Sequence, residues 1–210
     1  SFSPTGEHIS SASQDRTVRL WLPSVKGESS VLKGHSGGVR SAVFSWDASR
    51  LLTASDDKTC KVWDLPSRKF RATLTGHSNW VRYAEFSPDA RLAASASDDK
   101  TVRLWDVEAH ACVHTYFDHT APVQSVRFHP DGTCIAAGSD DQTIKVWDTR
   151  SQHLLQHYPA HNAAVTSLSF HSSGNYLLSS SADGTLKVWD LREGHLLYTL
   201  HGHTGAVSGC

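Results

Sequence analysis

Ser97-Asp98-Asp99-Lys100-Thr101-Val102-Arg103-Leu104-Trp105-Asp106 is written five times in this chain, at one unvarying interval. The other copies are SQDRTVRLWL from Ser13, SDDKTCKVWD from Ser55, SDDQTIKVWD from Ser139 and SADGTLKVWD from Ser181, with no insertion between them. Each copy is a polar turn followed by a short run of β-favouring residues that closes on Trp, which is the pattern of a turn feeding a strand. The molecule is therefore an array of one supersecondary unit, and everything else in the sequence can be placed by its distance from this stretch.

Working outward, the second unit reads as four strands: Val39 to Phe44, Leu51 to Ser55, Thr59 to Trp63, and Phe70 to Leu74. Each run has strand length and is bounded by Gly, Pro, Ser or Asp. The same order recurs in units of about 34–75, 76–117, 118–159 and 160–201; residues 1–33 hold a unit whose first strand is reduced to Ser1-Phe2, and 202–210 begin another. A polar connector, Pro23 to Ser30, precedes a short outer strand at Val31-Leu32. No segment has helical periodicity. The start at Ser1, with neither Met nor a signal-like segment, reads as an internal piece of a chain.

Bulk properties narrow the function classes. The composition, 39% hydrophobic and 20% charged, is that of a globular protein. No apolar run is long enough to span a bilayer, so no membrane partner is expected. A formal charge of -1 argues against a general attraction to nucleic acid. Cys60, Cys112, Cys134 and Cys210 form no CxxC pair and ignore the repeat, which favours a reduced, cytosolic setting over a disulfide framework.

A period of about 40–45 residues with Gly-His pairs (Gly34-His35, Gly76-His77) and a closing Trp-Asp resembles the WD40 repeat family over the whole chain. The resemblance implies an all-β fold, a WD40 β-propeller in which each repeat supplies one four-stranded blade, here five blades or five blades of a seven-bladed ring. It also implies a structural Asp-His-Ser/Thr-Trp hydrogen-bond chain in each blade. The residues that fit are His35, Ser55, Asp57, Trp63; His77, Ser97, Asp99, Trp105; His119, Ser139, Asp141, Trp147; His161, Ser181, Asp183, Trp189; and Ser13, Asp15, Trp21, for which His203 is available if the tail meets the first unit.

A Ser, a His and an Asp also suggest a nucleophilic triad, but five copies are the opposite of one catalytic cleft, so no enzyme is expected. No histidine group has zinc spacing and no phosphate loop is present; no metal or cofactor is expected. Arg19, Lys61, Arg103, Lys145 and Lys187, two positions before each Trp, read as apolar stems along the sheet with their tips in water.

Whatever recurs in every unit holds the array together, so binding is sought where the repeat breaks. In the family, the face bearing the Ser-x-Asp turns commonly takes partners. There the series Gly38, Trp80, Pro122, Ala164, Ala206 has one large aromatic, Trp80, and the series two positions on begins with Arg40 and Arg82. Asp56, Asp98 and Asp140 occupy the middle of the Ser-x-Asp turns, with Lys58 and Lys100 beside two of them. Trp and Arg dominate interface hot spots. Trp46 stands on the opposite face where other units have Pro4, Pro88, Pro130 and Ser172, and Phe117 is a weaker departure.

Among WD40 proteins the variable wording resembles the proteome-of-centriole family: His77-Ser78-Asn79-Trp80-Val81-Arg82, Gly132-Thr133-Cys134-Ile135-Ala136, Leu154-Leu155-Gln156-His157-Tyr158 and Gly174-Asn175-Tyr176-Leu177-Leu178. That resemblance implies a scaffold of the cytoplasm and cytoskeleton, at the centriole or basal body, which associates with tubulin in the microtubule wall and with centriolar proteins and supports centriole stability and cilium assembly. The alternative is a substrate-recruiting or chromatin-type WD40 adaptor whose acidic turns take a basic peptide.

Overall fold

The computed structural model describes residues 1–24 and 27–210; of the predicted connector from Pro23 to Ser30, Val25 and Lys26 lie outside the described residues. Five antiparallel sheets follow one another along the chain. The first is β1 (Ile9–Ala12), β2 (Thr17–Trp21) and β3 (Ser29–Lys33), with Phe2 bridged to Ile9 as the remnant of a fourth strand. The second is β4 (Val39–Phe44), β5 (Arg50–Ser55), β6 (Thr59–Asp64) and β7 (Lys69–Thr75). The third holds β8 (Val81–Phe86), β9 (Leu92–Ser97), β10 (Val102–Asp106) and β11 (Ala111–Tyr116). The fourth holds β12 (Val123–Phe128), β13 (Cys134–Ser139), β14 (Thr143–Asp148) and β15 (Leu154–Pro159), and the fifth β16 (Val165–Phe170), β17 (Tyr176–Ser181), β18 (Leu186–Asp190) and β19 (His195–Leu200). Every sheet is a meander in sequence order, and the four strands read in the second unit fall within a residue of those observed, whereas the tail at 202–210, read as the start of a further unit, forms no strand.

The core lies between sheets. In β6 the alternation of Cys60 and Val62 turns two buried side chains toward the third sheet, where with Leu52, Ala72 and Leu74 they meet Val81, Ala84, Phe86 and Trp105. The same recipe fills the other three junctions. Each fully buried aliphatic side chain there contributes roughly 1.5–3 kcal/mol by leaving water. A single sheet cannot bury both faces, so neighbouring blades hold one another in shape.

The first strands of the sheets converge on a channel, whose cavity of about 790 Å³ is lined from four different blades by Ser1, Phe44, Tyr83, Glu85 and Arg127, among others. The arc is open. Among the described residues no hydrogen bond joins the first sheet to the fifth, and Phe2 and Leu200, at its two ends, are exposed.

Candidate protein-binding face

The repeated polar residues form continuous chains across each blade. In the third blade the Trp105 indole donates to Ser95 Oγ at 2.8 Å, Ser95 meets His77 Nε2 at 2.7 Å, and His77 Nδ1 meets Asp99 Oδ2 at 2.8 Å. Trp63, Thr53, His35, Asp57 and Trp189, Ser179, His161, Asp183 repeat this. The hydroxyl link is thus two residues earlier than the sequence reading placed it. Ser55, Ser97, Ser139 and Ser181 instead close the turn: Ser55 Oγ donates to Gly38 O at 2.9 Å and accepts from Asp57 N at 3.1 Å. Register explains the shift: Thr53 and Ser55 share one face of the sheet, but Ser55 stands at the turn end of β5, whereas Thr53 pairs across with Lys61 and so lies within reach of the Trp63 indole. His203 does not complete the first blade; its carbonyl lies by Gly184 and Trp21 donates to Ser11 alone.

The fourth blade is wired differently. Ala137 stands where Thr53, Ser95 and Ser179 stand, so His119 Nε2 is buried without a partner. Asp118 stands where Gly34 and Gly76 stand, and the Trp147 indole donates to its Oδ2 at 2.8 Å. Two departures from the repeat are therefore one exchange: the acceptor moved from strand to loop.

Burial holds the His35, His77 and His161 imidazoles below their ordinary range, more than their Asp partners raise them. For Asp57, Asp99, Asp141 and Asp183 burial acts upward, but the hydrogen bonds from Thr, His and backbone N–H outweigh it and hold the carboxyls low. Both shifts have one sign for stability. The unfolded chain binds protons first, so stability is present above the unfolded histidine value of 6.5, falls as pH drops below it, and falls again below the carboxylate value of 3.8. Urea midpoints are expected to be level from pH 8 to about 7 and to decline below about 6.5; a level profile down to about pH 5 contradicts neutral buried histidines.

The candidate face is set by β-bulges. In each of the last four sheets the first two strands slip register by one residue, at Val39/Ser41, Val81/Tyr83, Val123/Ser125 and Val165/Ser167. The extra residue is Arg40, Arg82, Gln124 or Thr166, and a bulge re-aims its side chain out of the ladder. Arg40 reaches Asp56 through Nε and a terminal nitrogen at 2.7 and 2.8 Å, and Arg82 reaches Asp98 likewise at 2.6 and 2.6 Å. Gln124 donates to Asp140 Oδ1 at 2.8 Å. Asp98 raises the Arg82 guanidinium above its usual range, and Asp56 and Asp140 add to that field. Both guanidiniums lie over the Trp80 ring, with their carbons 5.6 Å and 5.5 Å from its centroid, a distance at which cation and ring attract. Its side of the stack that faces water leaves it 42% exposed.

The predicted acids are therefore not three free carboxylates: Asp56 and Asp98 are each held by a guanidinium. Lys58 and Lys100 are exposed at the turns, and the structure adds Arg16 at the same position of the first blade, which sequence reasoning passed over. Trp46 is on the opposite face, 61% exposed, at the rim of the channel cavity with Phe2 and Pro4. It does not join the Trp80 cluster. The lysine series departs from expectation at its tips, since Lys145 and Lys187 donate to the carbonyls of Asp118 and Ala160 and Lys61 to Thr73. Among the described residues no group of His, Cys, Asp and Glu is placed to hold a metal ion, and no helix is long and apolar enough to cross a membrane.

The profile of the WD40 repeat (WD domain, G-beta repeat) matches residues 1–21, 27–64, 68–106, 110–148 and 152–190. No curated protein matches the chain. With five matched repeats covering most of its length, and five meandering antiparallel sheets around one channel, the chain belongs to the WD40 family.

Proposed function

We propose that this chain, a protein-interaction scaffold by its WD40 repeats, holds an acidic protein surface on the Ser-x-Asp face of its first three blades, and that this surface is the microtubule wall of the centriole or basal body. The observation that carries the reading is the charge left after pairing. Arg40 and Arg82 are neutralised by Asp56 and Asp98, and the ionised Asp57 and Asp99 are turned inward on His35 and His77 with 8% and 7% of their side chains exposed, so the charged tips that reach water at these turns are Lys58, Lys100 and Arg16, the last beside the exposed Asp15. The result is a basic rim around a preorganised Trp80, whose stack costs no ordering on binding. A cytoskeletal scaffold that stabilises centrioles and supports cilium assembly is the finer form of the reading, supported by the wording of the variable segments.

The basic-peptide alternative is favoured by one observation. Asp140, paired only with the neutral Gln124, keeps a carboxylate oxygen without a hydrogen bond among the described residues.

Co-sedimentation with microtubules tests the two. Arg16→Gln/Lys58→Gln/Lys100→Gln has a precedent within the chain, because Gln142 holds the same turn position with φ 71. The triple variant is expected to weaken pelleting about tenfold, each exposed charge contributing about 0.5 kcal/mol, and the binding of the parent to fall with salt. A folded parent that never pellets removes the microtubule reading. If that parent instead binds a lysine-rich peptide, and Asp140→Asn abolishes the binding, the adaptor reading replaces it.

A further inference from the structure

Where the second and third blades meet, the protein bridges the groove near its outer strands with charges of its own. Arg50 on β5 and Arg71 on β7 each bring a terminal nitrogen to Glu108, on the turn between β10 and β11, at 2.5 and 2.7 Å. Two repeats further on, the same three positions are Cys134, Leu155 and Arg192. The charge is thus reversed on one side of the junction only: the turn of the fifth blade offers a guanidinium, and these positions of the fourth offer no acid to meet it.

A cavity of about 490 Å³ lies there, between the fourth blade and the turns of the fifth at Asn175 and Arg192. Its apolar wall is Cys134, Val146, Leu155 and Leu191, and Leu155 is 56% exposed. Burial pushes the Cys134 thiol up to about 11, so it stands uncharged in that wall. Two contacts across the junction fix the groove: Gln156 Nε2 donates to Leu191 O at 2.9 Å, and His129 Nε2 donates to Gly174 O at 2.9 Å. Arg192 Nε donates to Asn175 Oδ1 at 2.8 Å, which anchors the guanidinium, while its terminal nitrogens make no hydrogen bond or ion pair among the described residues. Asp131, the one carboxylate among the described residues of the lining, is turned onto His129 and Thr133. The neighbouring junction is less suited: Arg150 has the position of Arg192 there, but Asp89, Asp106 and Asp131 all line its cavity of about 300 Å³.

We propose that the groove between the fourth and fifth blades is a docking site for an acidic segment of a partner protein, in which a glutamate meets Arg192 and a neighbouring aliphatic side chain covers Leu155. Charge complementarity selects this occupant, and the junction of the second and third blades shows the match within the chain, where guanidiniums hold a glutamate in the corresponding place. The aliphatic neighbour follows from the wall, because Leu155 and Leu191 leave water beneath it. The groove is fixed by its own contacts before anything binds, so little ordering accompanies docking. It lies at the end of the strands opposite the Ser-x-Asp turns and is independent of the partner proposed for that face.

Titration of the chain with the peptide acetyl-Leu-Glu-Leu-Glu-Leu-amide up to millimolar concentration, followed by amide NMR, tests it. The groove amides of Cys134, Leu155, Asn175 and Arg192 are expected to shift, and to shift less with the peptide that has Gln for Glu. In Arg192→Glu an attraction becomes a repulsion, which is expected to weaken binding at the groove about tenfold and to turn its preference to the peptide with Lys for Glu. Arg192 is exposed, so the fold does not depend on it. Cys134→Arg/Leu155→Arg/Arg192→Glu copies the residues of the second junction into the fourth, and is expected to abolish binding while circular dichroism stays that of the parent. Shifts confined to the Ser-x-Asp turns overturn this site and leave the reading of that face standing. The site is equally overturned by a parent whose groove amides do not shift, by an Arg192→Glu chain that binds the glutamate peptide as the parent does, by a folded triple variant that still binds it, or by free glutamate that shifts the groove as strongly as the peptide.

Discussion

Ser95→Ala is expected to lower the unfolding free energy by about 2–4 kcal/mol, more than any other single hydroxyl in the chain apart from its equivalents Thr53 and Ser179. The residue is fully buried and joins two groups that have no other partner, the Trp105 indole N–H and His77 Nε2. Removing one oxygen strands both, and each buried orphan costs about 1–3 kcal/mol. Ser97→Ala, two residues on, loses only turn bonds with Asp99 N and Asn79 O, and is expected to cost about 1 kcal/mol. Urea unfolding of the two variants ranks them, and the reverse order means that the link runs through Ser97. The fourth blade supplies the converse: Ala137→Ser gives the orphaned His119 Nε2 a partner and is expected to raise stability by about 1 kcal/mol.

Arg127→Met is expected to cost about 2–3 kcal/mol, somewhat below the range for a wholly buried pair, because both partners keep some contact with water. Arg127 clamps three blades. Its Nε donates to Leu168 O at 2.9 Å in the fifth, a terminal nitrogen lies 3.2 Å from Glu85 in the third, and the guanidinium also covers the Tyr83 ring at 4.4 Å and bonds its hydroxyl. Burial raises the Glu85 carboxyl above its usual range, so without its cation it becomes a poorly compensated charge. Glu85→Gln keeps an acceptor for Phe128 N, now at 2.8 Å. In the Arg127→Met background it is expected to recover at least about 1 kcal/mol, a coupling that a double-mutant cycle measures. Additive single effects would mean that the pair does not interact.

What the sequence disclosed follows from which features repeat. Strands were legible because turn residues and alternation recur in register, so each blade corrects the reading of the next. The tetrad hydroxyl was misplaced because Ser55, Ser97, Ser139 and Ser181 recur without exception, whereas the residues that carry the link, Thr53, Ser95 and Ser179, vary and vanish at Ala137. Facing across the sheet, not regularity, selects the link. The Arg40–Asp56 and Arg82–Asp98 pairs were missed although their common spacing is visible, because only the bulge brings bulged residue and turn together. Glu85 and Arg127 occupy the same position of adjacent repeats, and opposite charges one period apart are a signal for a blade-to-blade clamp.

The turns that present Arg16, Lys58 and Lys100 hold all three residues at φ 70, while the fifth blade meets the same turn with Gly184 at φ 82. That left-handed region disfavours a residue with a Cβ by roughly 1–2 kcal/mol. Glycine at all three sites relaxes the backbone and erases the basic rim together. Thermal stability and the proposed affinity for an acidic partner are therefore opposed at these turns, and selecting variants of this chain for heat resistance alone drives it toward a better folded propeller with a blank face.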